Sequence, residues 1–138
     1  MPKKLIFVCV GNSCRSQMAE GFARHYARKM NLNIEIASAG SRPAGYVHPD
    51  AIALMREKGI DISHQRSKGI RPQELLNYDY VITMGCSDES ICPASFRGDA
   101  RDWGIPDPIG RSIEFYRKVR DEIEQKVLEL LQEVAHAV

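Results

Sequence analysis

Residues 8–16 read Val8-Cys9-Val10-Gly11-Asn12-Ser13-Cys14-Arg15-Ser16, with Leu5-Ile6-Phe7 before them and Gln17-Met18-Ala19-Glu20 after. After Lys4 the run KLIFVCV is continuously apolar and rich in β-branched residues. It therefore predicts a strand buried on both faces, as in a parallel sheet. From about Cys14 to Met30, the residues Met18, Phe22, Tyr26 and Met30 recur every four positions. That period marks one face of a helix. Between strand and helix lies a glycine-asparagine loop that opens on Cys9 and closes on Arg15, the spacing C-x5-R.

Strands and helices alternate beyond this unit. NIEIAS alternates in polarity and predicts a second strand. AGSRPAGYVHPD carries the glycine and proline punctuation of a loop. PDAIALMREKGIDIS predicts a helix ended by Gly59 and a short extended piece. RPQELLNYD predicts a short helix and YVITM a third strand. Residues 85–110 form a long irregular stretch with room for a short helix or strand, and such stretches in small domains are usually functional. The last segment predicts a long helix whose buried stripe is Ile113, Tyr116, Val119, Ile123, Val127, Leu130, Leu131 and Val134. The fold class expected is α/β, a small parallel sheet of about four strands with helices on both faces. Ligands of such sheets bind at the carboxyl ends of the strands, near a switch in strand order. Cys9 ends the first strand, and Cys86 lies just past the third.

The chain has 138 residues, 43% of them hydrophobic and 27% charged, with a formal net charge of +1. These values suit one domain, residues 1–138, with one core. The near-neutral charge favours neither nucleic acid nor an anionic membrane as a partner. The apolar run near the N-terminus is too short for a membrane span. A cytoplasmic protein is expected, and a monomer. In that compartment four cysteines suit reactive, metal-binding or buried roles better than permanent disulfides.

A bare C-x5-R is common by chance; its place between a strand and a helix gives it weight. The residues Val10, Gly11, Asn12, Ser13, Cys14, Arg15 and Ser16 can curl so that successive N–H groups point inward. The helix that follows adds its unpaired donors and the positive end of its dipole. Arg15 adds a planar fork that matches a tetrahedral oxyanion. The same surroundings favour a thiolate. Gly11 permits close backbone approach, and Asn12 tolerates a left-handed conformation. Ser13 and Ser16 carry hydroxyls suited to the Cys9 sulfur or to a helix cap. Attack on an oxyanion expels an oxygen that needs a proton. WGIPDPIG offers Asp107, between two prolines, although the same residues suit an ordinary turn.

VCVGNSCRS together with Asp107-Pro108 resembles the low-molecular-weight protein tyrosine phosphatase superfamily, and more closely its thioredoxin-coupled arsenate reductase branch. The resemblance extends through GNSCRSQMAEG, SAG, HPDAI, GIDIS, DYVITMGCSDESICP, DWGIPDPIG and VRDEI. Phosphatases of this fold usually carry proline where this chain has Gln17, and tyrosine where it has Ile109. The resemblance implies that Cys9 attacks arsenate, that Arg15 and the loop N–H groups hold its oxygens, and that Asp107 protonates the departing oxygen. It further implies a relay in which Cys86 attacks Cys9 and Cys92 attacks Cys86, leaving a disulfide for thioredoxin. No tightly bound cofactor is expected, and phosphate and sulfate are expected competitors. Cys86 and Cys92 are six positions apart, which on a straight helix is a rise of about 9 Å. A disulfide needs α-carbons within about 7 Å. Residues 84–98 are therefore expected to differ between reduced and oxidised forms.

Some reductases of the branch hold a potassium ion beside the loop. Here Arg66 and Lys68 occupy two of the positions concerned, so no metal is expected and Lys68 is expected to pair with Glu20 instead. Cys14 is expected to be a packing residue, with trapping of the nucleophile under oxidation a side reaction. Three other readings compete. A phosphatase would use Cys9, Arg15 and Asp107 alone. A metal binder is poorly served by C-x4-C and C-x5-C spacings. A redox sensor without turnover would share the switch but not the oxyanion specificity.

Overall fold

The computed structural model describes residues 2–85 and 96–137. Four strands, β1 (Lys3–Cys9), β2 (Ile34–Gly40), β3 (Tyr80–Thr83) and β4 (Asp99–Asp102), form one sheet in the order β2-β1-β3-β4. All three pairings are parallel, with Cys9 opposite Gly40 and Val8 opposite Thr83. β1 is central, which explains its unbroken apolar run. Leu5, Phe7 and Cys9 enter the larger core, while Ile6 and Val8 enter a smaller one on the other face.

Three α-helices, α1 (Arg15–Lys29), α2 (Pro49–Arg56) and α3 (Ile113–His136), contribute to the larger core. The smaller core is covered by the 3-10 helix Pro72–Asn77 through Leu75. Helices thus lie on both faces, unequally. The chain runs from β1 out to β2 and returns across β1 to β3, so strand order switches at the carboxyl end of β1. Cys9 stands at that crevice, where ligands of open α/β sheets bind.

Local signals set the helix ends. His48 caps α2, its Nδ1 accepting from the Asp50 N–H at 3.2 Å, and Pro49 follows at the first helical position. Gly59, at φ +76°, carries the chain out of α2, and the Ile60 N–H bonds the Met55 carbonyl. Ser112 caps α3 by accepting from the Phe115 N–H at 3.2 Å. The buried stripe of α3 begins one turn later than its sequence suggests. Tyr116 to Val134 are buried as expected, but Ile113 is 42% exposed, because the first residue of the helix projects beyond the layer it packs on.

Among the described residues, no helix is long and apolar enough to cross a membrane.

Candidate active site

The loop from Cys9 to Ser16 is held from outside, by its carbonyls. The segment after β2 runs alongside it and donates four backbone N–H groups. Ser41 donates to Cys9 O at 3.2 Å, Arg42 to Val10 O at 2.9 Å, Ala44 to Gly11 O at 2.8 Å and His48 to Ser13 O at 2.8 Å. Gln17 Nε2 donates to Asn12 O at 3.0 Å, and Met18 N to Cys14 O at 2.9 Å. With the carbonyls turned to these partners, the opposite edge of each peptide unit carries the N–H groups. Those of Val10, Gly11, Ser13, Cys14, Arg15 and Ser16 have no protein acceptor among the described residues. A curved row of such donors at a helix start binds anions. The first turn of α1 holds no acidic side chain to compete.

Close approach of backbone to backbone is needed at Gly40 rather than at Gly11. A Cβ on Gly40 would lie 2.5 Å from Val10 O and 3.0 Å from Asn12 N. A Cβ on Gly11 would meet nothing nearer than Ser13 Oγ, at 3.4 Å. Among the protein's own contacts the tight fit is thus at Gly40, while close approach of an anion to the backbone at Gly11 stays an expectation. The fit of the neighbouring strand against the loop resides in the SAG triplet, whose glycine is the sequence signal for it. Asn12 takes the left-handed conformation expected of it, with φ +46°.

The Cys9 sulfur is buried between a backbone N–H and a hydroxyl. The Asn12 N–H approaches it at 3.2 Å, and the Ser16 Oγ lies 2.9 Å away. Ser16 thus serves the sulfur, while α1 has no side-chain cap and Ser13 is simply buried. Asn12 Nδ2 donates to Ser16 Oγ at 2.8 Å and to Ser38 Oγ at 2.9 Å. Ser38 in turn bonds Glu20, a buried carboxylate that also pairs with Arg24 at 2.8 Å.

Arg15 is buried at the loop's closing edge. One nitrogen, Nη1, donates to Met84 O at 3.0 Å and to Ile105 O at 2.8 Å. These bonds fix the guanidinium plane against the end of β3 and against the segment leading to Asp107. Its Nε and Nη2 groups have no protein acceptor among the described residues. Asp107 is exposed on that segment, and its Oδ1 accepts from the Ile109 N–H at 3.1 Å. Burial is the larger cause opposing ionisation of Cys14 and Tyr116, and the Asp107 charge adds to it. Trp103 packs below, its ring 5.7 Å from that of Phe7.

Cys14 is in the loop but faces the other way. Its sulfur meets Tyr116 Oη at 2.9 Å, and burial pushes its thiol up to about 12. This is the packing role expected of it. Lys68 Nζ lies 3.9 Å from Glu20 Oε1 and donates to Arg66 O at 2.7 Å, so the expected pairing is present. Burial lowers the Lys68 ammonium from its ordinary value, with Glu20 opposing. Ser67, Gln65 and Gln17 are contacts that sequence reasoning did not assign: Ser67 Oγ donates to Gly11 O at 3.1 Å. Cys86 and Cys92, the two expected relay cysteines, lie outside the described residues, as does most of the 84–98 stretch expected to switch.

The chain is similar to known proteins in sequence and fold. A glutaredoxin arsenate reductase of Synechocystis is 41% identical, over 96% of this chain and 99% of its own. A solved arsenate reductase in its phosphate-binding state is 41% identical, with a TM-score of 0.82, over 95% of this chain and 98% of that one. A thioredoxin-dependent arsenate reductase of Corynebacterium glutamicum is 31% identical with a TM-score of 0.82, over 99% of this chain and 64% of that one. The family model for low molecular weight phosphotyrosine protein phosphatases matches residues 4–138. With a strand-loop-helix anion cradle at the switch point and that match along nearly its whole length, the chain belongs to the low molecular weight phosphotyrosine protein phosphatase family.

Proposed function

We propose that this protein reduces arsenate to arsenite. The observation that carries the reading is the loop itself. Carbonyls of the loop are turned outward onto residues 41–48, and a row of N–H groups with no protein acceptor among the described residues and the Arg15 fork surround a buried Cys9 sulfur that meets the Asn12 N–H and the Ser16 hydroxyl. That is a cradle for a tetrahedral oxyanion with a nucleophile beneath it. Relatives named as arsenate reductases, at about two-fifths identity over nearly the whole chain, support arsenate as the oxyanion.

Cys9 attacks arsenic and displaces one oxygen, which leaves as water once Asp107 has protonated it. The Cys86 thiolate then attacks the Cys9 sulfur. The sulfur–sulfur bond forms as the sulfur–arsenic bond breaks, and its electron pair reduces arsenic to arsenite. Cys92 attacks Cys86, freeing Cys9 and leaving a Cys86–Cys92 disulfide. A dithiol protein then supplies two electrons and two protons. Thioredoxin is the donor proposed, by likeness to the Corynebacterium enzyme. The Synechocystis relative carries glutaredoxin in its name, so a glutathione-glutaredoxin system is the second reading. No metal or organic cofactor takes part.

The test is arsenate-dependent NADPH oxidation, coupled in one arm through thioredoxin and thioredoxin reductase and in another through glutaredoxin, glutathione and its reductase. Turnover in the thioredoxin arm, lost in Cys86→Ser and in Cys92→Ser, is expected. Turnover only in the glutaredoxin arm reassigns the donor. No turnover in either, with aryl phosphate hydrolysis intact in all three proteins, makes this a phosphatase.

A further inference from the structure

Two glutamines behind the loop form a chain of donors that ends on the Cys9 sulfur. Gln65 Nε2 donates to Gln17 Oε1 at 2.8 Å and to the Gln17 backbone carbonyl at 3.0 Å. Gln17 Nε2 donates to Asn12 Oδ1 and to Asn12 O, each at 3.0 Å, and to Arg66 O at 2.8 Å. Asn12 Nδ2 donates to Ser16 Oγ at 2.8 Å, and Ser16 Oγ lies 2.9 Å from Cys9 Sγ. Gln17 is wholly buried, and Gln65 is half-buried at the outer end of the chain.

The direction of the chain follows from counting protons. An amide side chain has one accepting and one donating end, and only its partners decide which way it points. The Lys68 backbone N–H at 2.8 Å can only donate, and it faces Asn12 Oδ1. Gln17 Nε2 faces three carbonyl oxygens, which can only accept. Its orientation is therefore settled, with Oε1 left to receive Gln65. Asn12 is then held with Nδ2 on Ser16 and Ser38. Ser16 Oγ accepts from that amide, and opposite a Cys9 thiolate, which has no proton to give, its hydroxyl is the donor. Donors aligned head to tail polarise one another in a low-dielectric interior.

We propose that Gln17 and Gln65 are positioning residues for the nucleophile. Together with the Lys68 N–H on Oδ1, they hold the Asn12 amide in place against Ser16, whose hydroxyl faces Cys9, and so support its thiolate. The proposal rests on Cys9 being the nucleophile but not on arsenate being its target. Gln65 also lines a cavity of about 260 Å³ on the outer side of α1, with Arg24, His25, Arg28 and His64 around it. The chain thus begins at the surface and ends at the reactive sulfur.

The test is alkylation of the reduced protein by iodoacetamide across pH, with Cys9 and Cys14 distinguished by fragment-ion mass spectrometry. The variants are Gln17→Met and Gln65→Met, which keep shape and remove the amide. Losing a buried hydrogen bond that supports a charged acceptor is worth about a five- to tenfold change in an equilibrium. At about pH 6.5 the Cys9 rate should therefore fall roughly five- to tenfold in Gln17→Met and about threefold in Gln65→Met. At about pH 10, where thiols are ionised regardless, the rates should match the wild type. A buried control far from the chain, Leu130→Val, should lower stability and leave the pH dependence unmoved. If the two glutamine variants fold and share the wild-type pH dependence, or if Leu130→Val shifts it equally, the proposal is overturned. If Gln17→Met does not fold, the half-buried Gln65 decides alone. No arsenate is used, so failure here leaves the reductase reading intact, and absence of arsenate turnover leaves this result intact.

Discussion

Cys9 and Cys14 are equally buried, each 3% exposed, and are five residues apart in one loop, yet they sit in opposite surroundings. The pocket of Cys9 is built from donors: the Asn12 N–H, the Ser16 hydroxyl and, on the same concave side, free backbone N–H groups. The pocket of Cys14 is built from packing. Tyr116 of α3 lies on it, and burial holds its thiol at about 12. Equal burial therefore does not mean equal surroundings. What differs is that Cys9 lies in a loop lined with backbone N–H groups and a serine hydroxyl, whereas Cys14 meets one hydroxyl, that of Tyr116, among packed core side chains. A strand end and a helix start place the two sulfurs on different sides of the same turn.

The sharpest way to break this contrast is to remove each sulfur in turn. Cys9→Ser should lower turnover by about 10⁴-fold or more, as for other enzymes that lose their nucleophile. Cys14→Ala should retain activity within about threefold, its cost falling on stability through a lost packing group of about 1–2 kcal/mol. Steady-state rates and urea melts of both variants check the pair. Equal losses of activity would erase the distinction.

Gly40→Ala tests the Cys9 side from behind. Its added methyl would press on Val10 O and Asn12 N. The strain should cost about 1–3 kcal/mol, and loop displacement of even a fraction of an ångström should lower kcat at least tenfold. Inhibition by inorganic phosphate should weaken in parallel, which separates damage to the cradle from damage elsewhere. Tyr116→Phe tests the other side. It removes only the hydroxyl from Cys14 and should destabilise by about 1 kcal/mol, leaving turnover within about twofold.

The smallest effect concerns the ion pairs that tie the end of α2 to α3, the helix that carries Tyr116. Glu57 accepts from Arg117 at 2.8 Å and from Arg120 at 2.6 Å, and these bonds hold its carboxyl at about 2 against an ordinary 4.5. A carboxyl lowered on folding contributes stability that is complete above its unfolded value and is lost as pH falls through the folded one. Acid melts should therefore weaken between about pH 4.5 and 2, and Glu57→Gln should flatten that limb modestly, since the group is exposed.

Local pattern made the strand-loop-helix legible in the sequence. β1 is apolar because it is central, and the four-residue recurrence along α1 follows its buried side. β4 was less legible. Its residues Asp99, Ala100, Arg101 and Asp102 show no apolar alternation, and their edge position is supported by Arg101 bonding Asp99 at 2.9 Å and Glu133 at 2.6 Å. In the site, Cys9 and Arg15 were legible because one short turn carries both. Gln65 and Ser67 were not, because they reach the loop from tens of residues away, and for Gly40 the SAG triplet was visible but not the loop it packs on. Ile113 misled for the opposite reason: it fits the period of α3 but lies before the layer that buries the rest.

A single turnover tests the central claim most directly. Fully reduced protein is mixed with arsenate without any thiol donor, arsenite is counted, and the intact chain is weighed. One arsenite per chain, with a chain lighter by two hydrogens and its disulfide mapped to Cys86 and Cys92, is the predicted result. A chain that stays fully reduced and forms no arsenite, yet still hydrolyses an aryl phosphate through Cys9, would contradict it.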